Sequence, residues 1–187
     1  MRIKNLLLAI ATLTLVSATP VKHQFTAAEQ QQISISTPGL FSRSNAFNID
    51  LDALKPNEYS FPLPVGKATL RKNNVVEITT KDGDAVKAMF EGTVRLSRKH
   101  PDTGYVIVIR HRNGLETVYA NNAENVVEVG QHVRAGQTIA IVGQRGGKFY
   151  CDFSIMIDGK RINPTAVVGL GSHRPVSYTH LRAHETS

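Results

Sequence analysis

Runs of apolar residues between positions 75 and 157 have the lengths and spacing of β-strands. Residues 75–80 are rich in β-branched side chains and end at Asp82-Gly83, a turn signal. Residues 105–110 form an almost continuous apolar run, which is typical of a strand covered on both faces. Asn113-Gly114 separates this run from residues 115–119 at hairpin spacing. Three further strands are predicted, at residues 92–96, 138–142 and 149–157.

No long amphipathic helix pattern interrupts these runs, so the sequence predicts an all-β fold with a small antiparallel sheet. Residues 83–88 (Gly-Asp-Ala-Val-Lys-Ala) recur in similar form at residues 130–135 (Gly-Gln-His-Val-Arg-Ala). Each copy reads as a turn followed by the start of a strand. The recurrence suggests a duplicated, sandwich-like motif.

The N-terminal segment, residues 1–18, has the pattern of a secretory signal peptide. Arg2 and Lys4 give a basic start, residues 6–16 are apolar, and Val16-Ser17-Ala18 offers small side chains for cleavage. A membrane anchor is the alternative, but the apolar run is short for a bilayer span. We expect export to the periplasm or cell envelope, with no stable membrane insertion after the signal is removed.

The rest of the chain divides into three parts. Residues 19–58 form a polar, irregular N-terminal lead-in, in which residues 48–54 could be a short strand or turn. Residues 59–168 hold the predicted β domain, and residues 169–187 form a tail. Residues 176–187 resemble a translated sequencing-library adapter, so we expect them to be an artefact and exclude them from fold reasoning.

The composition narrows the class of protein without naming a function. The chain is 41% hydrophobic and 20% charged, which is a globular composition, and it has one Cys, so it has no disulfide framework. The formal net charge is +7, of which residues 19–175 carry +5 (19 basic and 14 acidic residues), and this excess favours contact with anionic surfaces such as cell-wall polymers. This charge is too modest to indicate a nucleic-acid partner, and we predict none.

Taken together, these motifs resemble the lysostaphin/LytM-type zinc endopeptidase family, the M23 peptidases. The alternative, a biotinyl or lipoyl carrier domain, needs a hairpin lysine motif that Lys87-Ala88-Met89-Phe90 presents in the wrong order. The resemblance implies a small β-sheet core of the duplicated hybrid motif type around a groove, and hydrolysis of peptide cross-links in bacterial cell walls. The matching stretches are residues 61–64, 83–88, 92–94, 104–108, 113–119, 129–140 and 158–164.

The residues at the family's site positions differ from the family pattern. The first motif, His-x-x-x-Asp, supplies two zinc ligands and falls on Asn73 and Glu77. The catalytic His that follows a Tyr falls on Asn121. The third motif, His-x-His, falls on Tyr150 and Asp152, which are a catalytic and a metal position. The resemblance therefore implies a degenerate site with no catalytic residue retained.

Zinc chemistry is not expected from this set. A catalytic zinc needs three strong ligands and a water, usually with at least one imidazole. Oxygen-only sets suit calcium or magnesium, which take six or more ligands. Cys151 should face the core by strand alternation, while His111 should be structural or solvated and His132 and His100 should lie at the surface. We therefore expect no cofactor.

Two functional hypotheses follow from the resemblance. The first is a secreted, non-hydrolytic protein that binds peptidoglycan or regulates another wall hydrolase, as degenerate LytM-like domains do for wall amidases. Its groove would offer Tyr119, Asn121 and Tyr150 as ligand contacts, unless these residues simply pack the groove shut. The alternative is an active zinc metalloendopeptidase that cleaves cross-link peptides with an altered ligand set, in which case zinc is the cofactor.

Overall fold

The structure of the protein is a computed structural model that describes residues 46–49, 51, 54–111, 115–157, 159–176 and 179–182. The predicted signal peptide and most of the predicted lead-in lie outside these residues. Within the described ranges, no helix has the length and apolar character needed to cross a bilayer. Helical geometry there is limited to two short 3₁₀ turns, Lys72–Asn74 and Pro164–Ala166.

The described part of the chain contains twelve strands. In chain order they are β1 (Ala46–Ile49), β2 (Lys67–Leu70), β3 (Val76–Thr80), β4 (Ala85–Lys87), β5 (Gly92–His100), β6 (Gly104–Arg110), β7 (Leu115–Asn125), β8 (His132–Val133), β9 (Thr138–Arg145), β10 (Lys148–Ile157), β11 (Lys160–Ile162) and β12 (Thr179–Arg182).

Ten of these strands form one antiparallel sheet, which confirms the predicted fold class. Its order is β2-β3-β10-β9-β7-β6-β5-β8, with β11 paired to β10 and β4 paired to β9. Strand β10 also pairs with β7, so it bonds to four neighbours: β3, β7, β9 and β11. A separate two-stranded sheet joins β1 to β12. The origin of residues 176–187 in a sequencing adapter stays a prediction, as do the domain boundaries.

All six long strands anticipated from the pattern are present, and several continue further than predicted. Strand β5 continues from residue 96 to His100, and β7 continues from residue 119 to Asn125. The predicted hairpin turn at Asn113-Gly114 lies outside the described residues, but its flanking strands pair with Arg110 opposite Glu116. Strands β2 and β11, of four and three residues, were not predicted, whereas β4 and β8 lie at the strand starts indicated by the internal repeat.

The sheet buries its main core on one face, which we call the inner face. Val76 and Ile78 of β3 and Cys151, Phe153 and Ile155 of β10 are fully buried there. Strand alternation places the residues between them on the opposite, outer face. A second, smaller apolar cluster of Leu96, Val108 and Val118 forms separately from this core. Because Ile107 and Ile109 enter the main core while Val108 joins the second cluster, β6 is covered on both faces, as predicted.

The two copies of the internal repeat have the same local geometry. Gly83 and Gly130 have positive φ angles of 75° and 86°, which glycine adopts without a steric penalty. Each glycine is followed by a short strand whose valine, Val86 or Val133, is fully buried. The repeated sequence therefore corresponds to a repeated turn and strand.

Candidate functional site

Two carboxylates lie directly opposite each other on the outer face of the sheet. The pairing of β3 with β10 sets Glu77 against Asp152. Their sequence neighbours Val76, Ile78 and Cys151 face the core, so both carboxylates point away from it. Directly opposed like charges on one sheet face destabilise the pair unless a cation lies nearby.

Arg71 supplies that cation. It lies just before the Lys72–Asn74 turn that leads into β3, and its Nη2 donates to Glu77 Oε1 at 2.5 Å. The Glu77 side chain is 16% exposed and that of Arg71 is 50% exposed. The hydrogen bond and charge of Glu77 raise the pKa of the Arg71 guanidinium above its usual value. Glu77 is thus held in an ion pair.

Asp152 has a less favourable environment. Burial raises the pKa of its carboxyl, and the negative charge of Glu77 raises it further. Arg145, Arg71 and Arg161 act in the opposite direction but do not outweigh these two effects. The site therefore contains two carboxylates surrounded by three guanidinium groups.

Tyr150 extends the site along β10. It is two residues before Asp152, so strand alternation puts it on the same face. Tyr150 is 9% exposed, and burial, followed by the charge of Asp152, raises the pKa of its phenol. The charge of Arg145 acts in the opposite direction on this phenol. Arg145, at the end of β9, also donates from Nη2 to the backbone oxygen of Asp102, so it links β9 to the turn between β5 and β6.

Asn121, at the family's catalytic position on β7, hydrogen-bonds to the backbone of β9 and β10. Its Nδ2 donates to the backbone oxygen of Tyr150 at 2.8 Å and to that of Gly143 at 3.2 Å. Its backbone N–H donates to Thr103 O at 2.7 Å. The residue is 4% exposed and has a positive φ of 62°. Backbone carbonyls take its amide N–H groups and the side chain is buried, which favours the alternative that Asn121 packs the groove shut, while its contact with a ligand stays a prediction.

Tyr119 was also predicted either to contact a ligand or to pack the groove shut, and its placement favours the second alternative. It is fully buried in the main core, with its ring 5.4 Å from that of Phe153. Its Oη accepts a hydrogen bond from the Met89 backbone N–H at 2.8 Å. Burial raises the pKa of this phenol above its ordinary value. Alternation along β7 explains the placement, since Leu115, Thr117 and Tyr119 are all buried on the inner face.

Asn73, at the position of the family's first zinc His, lies in the Lys72–Asn74 turn with a positive φ of 60°. Its side chain is exposed. Of the five family positions, the structure brings four into adjacent places on β3, β7 and β10: Glu77, Asn121, Tyr150 and Asp152.

The described residues do not fit a zinc ion. Among them, no three His, Cys, Asp or Glu side chains come together in a group that could hold a metal. Glu77 and Asp152 are only two donors, and Arg71 already bonds one of them. Catalytic zinc requires three strong ligands and a water. The family's metal therefore has no suitable ligand set here.

The remaining candidate ligands lie elsewhere. Cys151 is fully buried in the core, as predicted, and burial raises the pKa of its thiol, which disfavours the thiolate that metals bind. His111 is buried and structural, with Nδ1 2.7 Å from Glu91 O and Nε2 2.8 Å from Thr117 Oγ1. His132 is exposed and lies 3.5 Å from Glu91 Oε1.

Sequence reasoning missed the arginines of the site. Arg71 and Glu77 are six residues apart, and their contact depends on the turn between them. Arg145 reaches Asp102 across 43 positions of sequence. The one available signal was the placement of basic residues close to carboxylates at the family's metal positions.

Comparison with known proteins places this arrangement in a family. A profile of peptidase family M23 matches residues 71–164. The murein hydrolase activator EnvC of Escherichia coli strain K12 is 38% identical over 96 residues, covering 49% of this chain and 22% of that protein. Stage II sporulation protein Q of Bacillus subtilis strain 168 is 35% identical over 98 residues, covering 48% of this chain and 34% of that protein. The chain thus matches only a fifth to a third of the length of these two relatives.

The fold is also that of a solved peptidase. The antimicrobial peptidase lysostaphin from Staphylococcus simulans superposes with a TM-score of 0.50 at 18% identity, covering 60% of this chain and 52% of that one. At this identity, the likeness concerns the fold alone. With a family match across half of the chain and an all-β sheet of the same type, this protein belongs to peptidase family M23.

Proposed function

We propose that the protein is an exported cell-envelope member of family M23 that does not hydrolyse peptides, and that it acts by binding peptidoglycan or by regulating another wall hydrolase. The observation that carries this proposal is the Arg71–Glu77 ion pair at the family's metal position. A carboxylate bonded to a guanidinium at 2.5 Å is a poor ligand for a divalent ion, because the metal would have to displace a cation that already holds one of its oxygens.

The catalytic positions support the same conclusion. Asn121 donates its amide to two backbone carbonyls, and an amide has no basic nitrogen that could accept a proton from water. Burial and neighbouring charge raise the pKa of Tyr150, so its phenol stays protonated at neutral pH. Neither residue can act as a general base at neutral pH.

The proposed regulatory role is supported by similarity to a relative, and the proposed wall-binding role is supported by the net charge of the chain. EnvC is named a murein hydrolase activator, and this chain shares 38% identity with it over the matched region. Residues 19–175, which exclude the predicted signal peptide and adapter, hold 19 basic and 14 acidic residues, and this net charge of +5 would favour association with anionic wall polymers. On the outer face, Tyr150, Arg145 and Arg161 are the side chains through which such contacts would be made.

A metal analysis combined with a lysis assay tests the absence of hydrolysis. The purified protein should contain no stoichiometric zinc and should not clear a suspension of cell walls, with or without added Zn²⁺. Zinc at one equivalent, together with lysis that a chelator abolishes, would establish the alternative, an active endopeptidase with an altered ligand set. The directly opposed positions of Glu77 and Asp152 in the sheet are the observation that favours that alternative.

A pull-down with insoluble cell walls tests the binding role. The wild-type protein should sediment with the walls, and substituting Arg145 and Arg161 with Gln should leave more of it in the supernatant. If all of the protein stays in the supernatant, direct wall binding is ruled out and regulation of another hydrolase remains. That role is tested by adding the protein to a wall amidase assay.

A further inference from the structure

The outer-face carboxylates raise a question of charge balance. Glu77 and Asp152 occupy directly opposed positions of an antiparallel pair, where side chains are typically about 5 Å apart at Cβ. Two negative charges at this separation and partly removed from water need a compensating cation. In the family the resemblance assigns this role to a metal ion, but the described residues here do not supply its ligands.

The compensating cation in this chain is a side chain of the protein itself, the guanidinium of Arg71. Arg71 places Nη2 at 2.5 Å from Glu77 Oε1, from the residue that precedes the Lys72–Asn74 turn. Its backbone N–H donates to Val75 O at 2.7 Å, which closes the turn and fixes where the side chain starts. Arg145 and Arg161 add positive charge near Asp152 from β9 and β11.

We propose that Arg71 is a built-in counter-cation that takes the place of the family's metal ion. The turn holds the guanidinium against Glu77, so one of the two negative charges is compensated without any metal. Two consequences follow. The folded chain is indifferent to chelators, and the pair becomes sensitive to divalent ions only when the guanidinium is removed. This inference concerns the balance of charge at the site and does not depend on whether the protein binds cell walls.

The experiment compares three variants by thermal unfolding in the presence of EDTA. Arg71→Met removes the guanidinium but keeps the length of the side chain. Lys72→Met is the matched control, because it removes one positive charge from the next residue of the same turn. Arg71→Lys keeps the charge. We expect Arg71→Met to lower the unfolding midpoint by roughly 4 °C relative to Lys72→Met, and Arg71→Lys to recover most of this loss.

Replacing EDTA with Mn²⁺ gives the decisive measurement. Millimolar Mn²⁺ should raise the midpoint of Arg71→Met and leave those of the wild type and Lys72→Met unchanged. A double variant, Arg71→Met with Glu77→Gln, should regain stability without Mn²⁺, because only one carboxylate then remains.

Three results would overturn the proposal. The first is a wild-type midpoint that rises with Mn²⁺ or Zn²⁺ as much as that of Arg71→Met. The second is an Arg71→Met protein as stable as Lys72→Met. The third is a loss in Arg71→Met that Mn²⁺ does not recover. None of these measurements uses walls or lysis, so their failure is distinguishable from failure of the proposed function.

Discussion

Acidification should destabilise this protein through one buried imidazole. Burial lowers the pKa of His111 to about 4 from the ordinary value of 6.5, although the backbone oxygen of Glu91 and the charge of Glu116 partly oppose the shift. The imidazole ring packs edge-on against the ring of Phe90, with the ring centroids 5.5 Å apart. Its Nδ1 is hydrogen-bonded to Glu91 O, and its Nε2 to Thr117 Oγ1. Because Thr117 Oγ1 can donate or accept, the neutral ring satisfies all of its partners.

The sign and size of the effect follow from proton linkage. Since the folded pKa is depressed, the unfolded chain binds a proton first as the pH falls. The contribution of His111 is therefore fully present above pH 6.5 and is lost between pH 6.5 and about 4. A shift from 6.5 to about 4 corresponds to about 3 kcal/mol of lost unfolding free energy once the pH is below both values.

Urea unfolding between pH 8 and pH 4 measures this loss. The comparison is between wild type and His111→Gln, which keeps an amide near Thr117 but cannot titrate. The wild type should lose about 3 kcal/mol more than His111→Gln over this range, because effects of the carboxylates are common to both proteins. His132→Gln, which changes an exposed histidine, should behave like the wild type. A stability difference between wild type and His111→Gln that does not change with pH would refute the reasoning.

Three further predictions concern stability, each measured by urea unfolding at pH 7. Glu116→Ala removes the carboxylate that binds Arg95 at 2.5 Å and Arg110 at 3.1 Å, and it should cost about 3 kcal/mol; a loss no larger than that of an exposed Glu would contradict this. Gly92→Ala would bring a Cβ within 2.5 Å of the Arg110 backbone oxygen, so we expect a loss of roughly 1–3 kcal/mol, and a neutral result would show that β5 can shift. Asn121→Ala leaves two backbone carbonyls without their donor and should cost about 2 kcal/mol, whereas an unchanged midpoint would mean that these bonds contribute little.

Much of the sheet was predictable because its long strands are apolar or β-branched runs of five residues or more, several of them bounded by turn signals. The alternation along β10 correctly assigned Cys151 to the core, because five or more residues in one strand fix which face each side chain takes. Strands β4 and β8, with three and two residues, are too short to show any period. Their formation depends on pairing with β9 and β5, which are distant in sequence.

The family resemblance named residues that the structure places near one another, but it did not predict their contacts. The family resemblance identified Glu77 and Asp152, and the structure sets them opposite each other. It did not reveal that Asn121 takes a left-handed conformation at the point where β7 passes Gly143, which turns its amide to the backbone. A polar residue at a family site position therefore does not show that its side chain is exposed. In the sequence, an amide that is buried and bonded to the backbone looks the same as one that faces solvent.

Strand β10 bonds to four other strands, and this has a consequence for recognition. Local opening of β10 would require several ladders to break together, so its amide protons should be among the slowest to exchange with solvent. Tyr150 and Asp152 thus lie on a strand that should open rarely, and a partner that docks against them would lose little affinity to ordering the surface it meets.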